Sequence, residues 1–192
     1  MHASAAVIST RILPRTRVTT AGLIVGFALL TAAAAQVSIP LPFTPVPITG
    51  QTFAVMLAGA AAGSWAGGAS QLLYVFLGGM GLPFYADQAS GWSVISGATG
   101  GYLIGFIAAA WFVGFLAERR QDRTVATAVP TFLAGTGIIY LFGVTWLAAE
   151  LGISAVEAME LGLVPFVIGD LIKVGLAGAL LPAVWKLADR RT

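Results

Sequence analysis

The sequence predicts an all-α membrane protein: a six-transmembrane-helix bundle with both termini cytoplasmic and structured external loops capping a ligand cup. Three observations carry this expectation. Of 192 residues, 58% are hydrophobic and only 9% charged, whereas an ordinary soluble domain carries about a quarter charged residues. Too little charge is present to cover the apolar surface of a soluble fold. Several apolar stretches also reach the ~20 residues that cross a ~30 Å hydrocarbon core. Finally, every Lys and Arg except Lys173 falls in the N-terminal segment, in the 118–124 loop, or in the last helix end with its tail. One integral membrane domain, 1–192, is expected, with spans at about 18–37, 51–65, 68–79, 97–117, 125–148 and 163–187.

The elements follow in order. Residues 1–17 are polar and carry Arg11, Arg15 and Arg17. The apolar run from Val18 to Val37 ends in Ala33-Ala34-Ala35, which resembles a signal-peptidase site. It has the length of a full span rather than of a signal segment, so an uncleaved first span is expected. Ser38 to Gly50 contains Pro40, Pro42, Pro45 and Pro47 and reads as a structured loop. The apolar stretch from Gln51 to Gly79 is roughly 44 Å long as one helix, too long for one span and too short for two full ones. Two short helices are therefore expected, joined by a turn at Gly67-Gly68. A Gly-, Pro- and aromatic-rich loop covers 80–96. A span over 97–117 leads into the charged loop Glu118-Arg119-Arg120-Gln121-Asp122-Arg123, and another covers 125–148. An acidic loop with Glu150, Glu157 and Glu160 precedes the last span.

The loops 38–50, 80–96 and 149–162 contain no Lys or Arg. By the positive-inside rule they lie outside, and the termini and the 118–124 loop lie in the cytoplasm. That orientation requires the 51–79 stretch to cross twice. Two helices of about 13 residues reach only ~20 Å, which leaves a recessed cup at their outer ends. Irregular backbone is tolerable at that depth only where it is buried or lines a cavity.

Several functions are excluded. The chain has no cysteine, and its single histidine is His2. No Ser-His or Cys-His dyad and no HExxH-type metal site can therefore be assembled inside the bundle. No GxxxxGK[ST] phosphate loop is present, so this chain does not couple ATP hydrolysis by that route. The pI of about 9.3 reflects arginines at the membrane surface rather than a nucleic-acid partner. No catalysis, metal or cofactor is expected.

Lys173 and Asp170 stand out because they lie inside the last span. At i,i+3 they share a helix face, and an ammonium and a carboxylate at that depth cost a few kcal/mol each unless paired or wetted. A mutually neutralising packing pair is one reading; a polar anchor for a ligand with both donors and acceptors is the other. Phe166, Gly169 and Ala177 are placed on the same face. The 80–96 loop combines Phe84, Tyr85 and Trp92 with Asp87 and Gln88, which suits either an interfacial aromatic belt or a binding lid. Phe43 and Gln51 are further candidates, although Gln51 also sits where a helix cap would. Small residues recur four apart at Gly22/Gly26, Ala28/Ala32, Gly59/Gly63/Gly67 and Gly101/Gly105, which permits close helix approach inside the bundle or with a membrane partner.

Three ordered blocks carry a resemblance. Ile39-Pro-Leu-Pro-Phe-Thr-Pro-Val-Pro-Ile-Thr-Gly-Gln-Thr-Phe53, Gly97-Ala-Thr-Gly-Gly-Tyr-Leu-Ile-Gly-Phe106 and Gly169-Asp-Leu-Ile-Lys173 resemble the signature blocks of the BioY family. These are the biotin-binding subunits (S components) of energy-coupling-factor transporters. Ala98 stands where the family pattern has proline, and residues 86–91 are more polar than its glycine-rich loop. The resemblance implies a non-enzymatic subunit of the cell inner (plasma) membrane that captures biotin from outside. Its partners would be a transmembrane coupling subunit, two cytosolic ATPases and membrane lipid, with no nucleic acid. It implies a substrate site drawn from Asp170, Lys173, Tyr85, Phe43, Gln51, Gln88, Phe166, Gly169 and Tyr102. Asp170 and Lys173 match the family's polar pair and suit the N–H and C=O groups of a ureido ring, with pairing of Lys173 to the ligand carboxylate as the alternative. An S component for another small vitamin and a self-sufficient secondary carrier are the competing functions.

Overall fold

A computed structural model describes residues 7–14 and 16–189. His2 and the basic residues Arg15, Arg190 and Arg191 lie outside the described residues. A one-turn helix, Ile8–Ile12 (α1), precedes the first long helix. Thr16 accepts the Thr19 N–H on its hydroxyl while Thr19 accepts the Thr16 N–H, and this capping box starts Arg17–Ala35 (α2). The proline-rich segment that follows closes on itself through a two-residue antiparallel ladder. Ser38–Ile39 (β1) pairs with Ile48–Thr49 (β2), with Ser38 opposite Thr49 and Ile39 opposite Ile48. This ladder is absent from the all-α reading; four prolines leave few N–H groups for anything longer.

The stretch Gln51–Gly79 (α3) folds back on itself. In a straight helix Gln51 and Tyr74 would stand ~34 Å apart, yet Gln51 Nε2 donates to the Tyr74 hydroxyl at 2.6 Å. The reversal falls at Gly63 (φ 87°, ψ 176°), not at the expected Gly67-Gly68, and only glycine populates that region readily. The two arms then touch: a Cβ on Gly67 would lie 2.8 Å from Gly59 Cα. Glu118 fixes the turn by accepting from both the backbone N–H and the hydroxyl of Ser64 at 2.8 Å, so the second arm starts capped.

The 80–96 segment is more ordered than a plain loop. It holds a tight turn at Ala86–Gln88, with Asp87 and Gln88 at positive φ, and a short helix, Trp92–Ser96 (α4). Gly100–Ala117 (α5) then lies between α3 and the next long helix, Val125–Leu151 (α6). Glycine makes both contacts possible. A Cβ on Gly114 would lie 2.3 Å from Ser64 N, and one on Gly101 would lie 2.4 Å from Phe142 O. Gly22 and Gly26 have no such neighbour among the described residues, and their face of α2 is open there.

The acidic 149–162 segment is not a loop. Ser154 and Glu157 form a second capping box and start Ala155–Gly162 (α7). A 3₁₀ turn at Val164–Phe166 leads into Val167–Asp189 (α8), which packs on α6 and α3. At its far end the Trp185 indole donates to Asp122 Oδ2 at 2.7 Å, and the Arg123 guanidinium lies 3.2 Å over the Trp185 ring. The 118–124 turn is thereby tied to the end of α8. Among the described residues, four stretches are long and apolar enough to cross a membrane: Arg17–Ala35, Gly100–Ala117, Val125–Leu151 and Ala155–Asp189.

Candidate functional site

At the end of the bundle formed by the 38–50, 80–96 and 149–162 segments, a cavity of about 240 Å³ opens between α3, α5, α6 and α8. Its base is polar and its walls are apolar. The base is built by three elements converging on Asp170, which sits in the first turn of α8 and is 5% exposed. A carboxylate there is favoured by the helix dipole. Asp170 Oδ1 accepts from the Lys173 ammonium at 2.7 Å and from the Thr52 hydroxyl at 3.0 Å, while Oδ2 accepts from the Tyr140 hydroxyl at 2.5 Å.

Lys173 is equally committed. Its ammonium donates to Thr49 O at 2.7 Å, to Thr52 Oγ1 at 3.1 Å and to Asp170 Oδ1. These contacts use all three N–H groups of a lysine. The pair is therefore held by a network that a plain ion pair would not need, and the network closes the loop ending at β2 onto α8. A carboxylate accommodates about four acceptor contacts; Asp170 has three, which leaves acceptor capacity toward the cavity.

The walls use aromatic rings whose polar tips are occupied elsewhere. Tyr85 is 2% exposed and donates to Val75 O at 2.6 Å. Gly78 makes room for its ring, since a Cβ there would lie 2.4 Å from Tyr85 Cζ. Burial pushes the Tyr85 phenol up to about 12, so it stays neutral at physiological pH. Tyr102 crosses over Gly143 to donate to Gly162 O at 2.7 Å, tying α5 to the end of α7. Both tyrosines thus present ring surface to the cavity, as Phe166, Phe106 and Ile139 also do.

Of the residues expected from the sequence, Asp170, Lys173, Tyr85, Gln51, Phe166 and Tyr102 line this one cavity. Three do not. Phe43 is 59% exposed and does not line the cavity. Gln88 borders an outer depression with Gln36 and Pro83 instead. Gly169 is not among the residues lining the cavity, and nothing among the described residues lies within 4 Å of where its side chain would start. Thr49, Thr52 and Tyr140, which sequence reasoning missed, complete the base. Thr49 and Thr52 lie on either side of Gln51 in the proline-rich 39–53 segment; Tyr140, a lone phenol inside an apolar span, carries no local signal. Among the described residues, no group of three His, Cys, Asp or Glu side chains could hold a metal ion.

A model of the BioY family matches residues 6–190. The chain belongs to the BioY family. Among curated relatives, the biotin transporter BioY of Thermotoga maritima is 40% identical over 165 residues, covering 86% of this chain and 95% of that protein. The biotin transporter BioY of Rhizobium etli is 34% identical over 164 residues, covering 82% and 87%. Among solved structures, the S-component for biotin from an ECF-type ABC transporter superposes with a TM-score of 0.81 at 24% identity, covering 91% of this chain and 94% of that one. At that identity the likeness bears on the fold, which is that of this BioY-type helical membrane bundle.

Proposed function

We propose that this chain captures biotin at the external face of the cell inner membrane and serves as the substrate-binding subunit of an ATP-driven uptake transporter. The observation that carries the reading is the cavity base: a carboxylate with acceptor capacity left over, beside an ammonium and a phenol, beneath apolar walls. A ureido ring offers two N–H donors and one C=O. The N–H groups suit Asp170. The C=O would take a hydrogen bond from Lys173 in exchange for one of its present partners, or from the Tyr140 hydroxyl turned off Asp170. The sulfur ring and the aliphatic chain suit the walls at Phe106, Phe166 and Ile139. The tail carboxylate then lies toward the mouth, where leaving it ionised costs least.

Both arms of α3 are read as membrane crossings, giving six in all. The absence of Lys and Arg from 38–50, 80–96 and 149–162 supports an orientation with those segments outside and both termini inside. No phosphate loop occurs in the sequence, which supports energisation by two cytosolic ATPases through a transmembrane coupling subunit. Membrane lipid covers the remaining apolar surface. Nothing in the reading calls for a cofactor or a nucleic acid.

Uptake of labelled biotin by vesicles carrying this chain with its coupling subunit and ATPases tests the assignment. ATP-dependent accumulation that vanishes when the ATPases are omitted is expected. Accumulation by this chain alone, driven by an ion gradient, would replace the proposal with a self-sufficient carrier.

A further inference from the structure

The cavity contains no uncommitted positive charge. Among the described residues Lys173 is the only cation lining it, and that ammonium is held at the base by Thr49 O, Thr52 Oγ1 and Asp170 Oδ1, away from the mouth. The segments around the mouth contain no Lys or Arg at all. What the mouth does contain is a carboxylate. Asp87 lines both the inner cavity and the outer depression beside Gln36 and Gln88, which puts it on the rim between them. It is exposed and makes no hydrogen bond or ion pair among the described residues.

The rim backbone holds Asp87 at this position under strain. Asp87 (φ 56°) and Gln88 (φ 60°) are consecutive non-glycine residues in the left-handed region, a conformation that non-glycine residues keep only when their surroundings over-determine it. Here the surroundings are visible. Tyr85 N–H donates to Ala89 O at 3.1 Å and Ala89 N–H to Ala86 O at 3.1 Å, while Gln36 Nε2 reaches Tyr85 O at 3.1 Å from α2. A free carboxylate fixed at the mouth of a cavity is an unfavourable neighbour for a ligand whose outer end is itself an anion.

We infer that this site takes amide-linked derivatives of its ligand, above all those whose outer end carries an ammonium, at least as well as the free acid, and that Asp87 sets this preference. The inference rests on the proposed function, because it assumes that the ureido end occupies the Asp170 base and leaves the tail at the rim. An amide removes the tail charge without touching the groups read at the base. An added ammonium reaches Asp87, an exposed pair whose effect on affinity is about two- to fivefold at low salt. The pair is screened within about 10 Å at 0.1 M salt, so the preference fades as salt is raised.

The test is a set of binding titrations on the purified full-length chain in detergent at low and high salt. The ligands are biotin, its neutral N-methylamide and its amide with a diaminoalkane, each measured on the wild type and on Asp87→Asn. Asparagine tolerates the left-handed backbone, so this variant keeps the rim shape, and circular dichroism with a melting curve verifies its fold. The expected order for the wild type at low salt is amine-bearing amide first, by about two- to fivefold over the neutral amide, with the free acid no tighter than the neutral amide. In Asp87→Asn the amine's advantage disappears and the free acid gains. A free acid that binds more than about tenfold tighter than the neutral amide in both proteins overturns the inference, because a cation would then be reading the carboxylate. An amine advantage that survives Asp87→Asn also overturns the role given to Asp87. If none of the three ligands binds, the biotin reading itself falls, an outcome distinct from either of these.

Discussion

Asp170→Asn separates a packing pair from a ligand anchor, because asparagine keeps the shape while removing the charge. Its carbonyl oxygen can still accept from Lys173 and Thr52, and its amide can donate to Tyr140, whose hydroxyl turns to accept. What is lost inside the protein is the ionic part of a contact at 2.7 Å, about 6 kcal/mol of gross attraction at an effective dielectric of ~20. Relief from desolvating a buried carboxylate offsets part of this, and removing one member of a buried pair costs about 3–5 kcal/mol net. The retained hydrogen bonds hold this variant near the lower end. What changes toward the ligand is the sign of the group: an N–H now faces the ureido N–H. A hydrogen bond to a charged acceptor contributes about 1.5–3 kcal/mol, so biotin affinity should fall by roughly 10- to 150-fold even in the folded fraction. Isothermal calorimetry on monodisperse protein, with a melting curve on the same sample, reads both effects. Affinity within about threefold of wild type, with the pair broken, would refute the account of the base and return Asp170 to a packing role.

Tyr140→Phe removes one hydroxyl from Asp170 without adding bulk; calorimetry should show biotin binding weakened by about tenfold, near the lower end of a charge-assisted hydrogen bond, with a lowered melting temperature because the same bond holds α6 to α8 in the free protein. Gly63→Ala places a methyl 2.8 Å from Glu118 Oε1 at φ 87°, a backbone cost of about 1–3 kcal/mol. A lowered melting temperature is expected, and an unchanged one would contradict the reversal at Gly63. Asp122, fully buried beneath Trp185, has its carboxyl pushed up by burial, with the Trp185 N–H and Arg123 pulling the other way. A raised folded value means that this group adds stability at low pH and that the contribution is lost as pH rises through the folded value. Thermal stability should therefore gain from Asp122 as pH falls from 7 toward the ordinary carboxylate range, and melting curves of Asp122→Asn should lack that component.

The fold was legible wherever composition alone decides. Long apolar runs between charged segments identify the helices, and Asp170 and Lys173 stand out because charge inside a span is costly. The reversal in α3 was placed wrongly because Gly59, Gly63, Gly67 and Gly68 are equivalent as local breakers. Tertiary contacts choose Gly63: Glu118 caps Ser64 there, and Gly114 lets α5 reach the turn. Likewise α7 was read as part of an acidic loop, although Ser154 and Glu157 have the spacing of a capping box. Gly169 was misjudged because sharing a helix face with Asp170 in sequence does not fix which way α8 is turned. Tyr140 could not be found from the sequence. A phenol in an apolar span reads as a core aromatic until α6 is seen to face α8.

The central claim is tested most directly by titrating biotin into the purified, monodisperse wild-type chain by calorimetry, with a panel of other vitamins as competitors. Saturable one-to-one binding that the other vitamins do not displace is the expected result. A folded sample that gives no biotin heat, or one whose biotin is displaced by another vitamin at equal concentration, would contradict it.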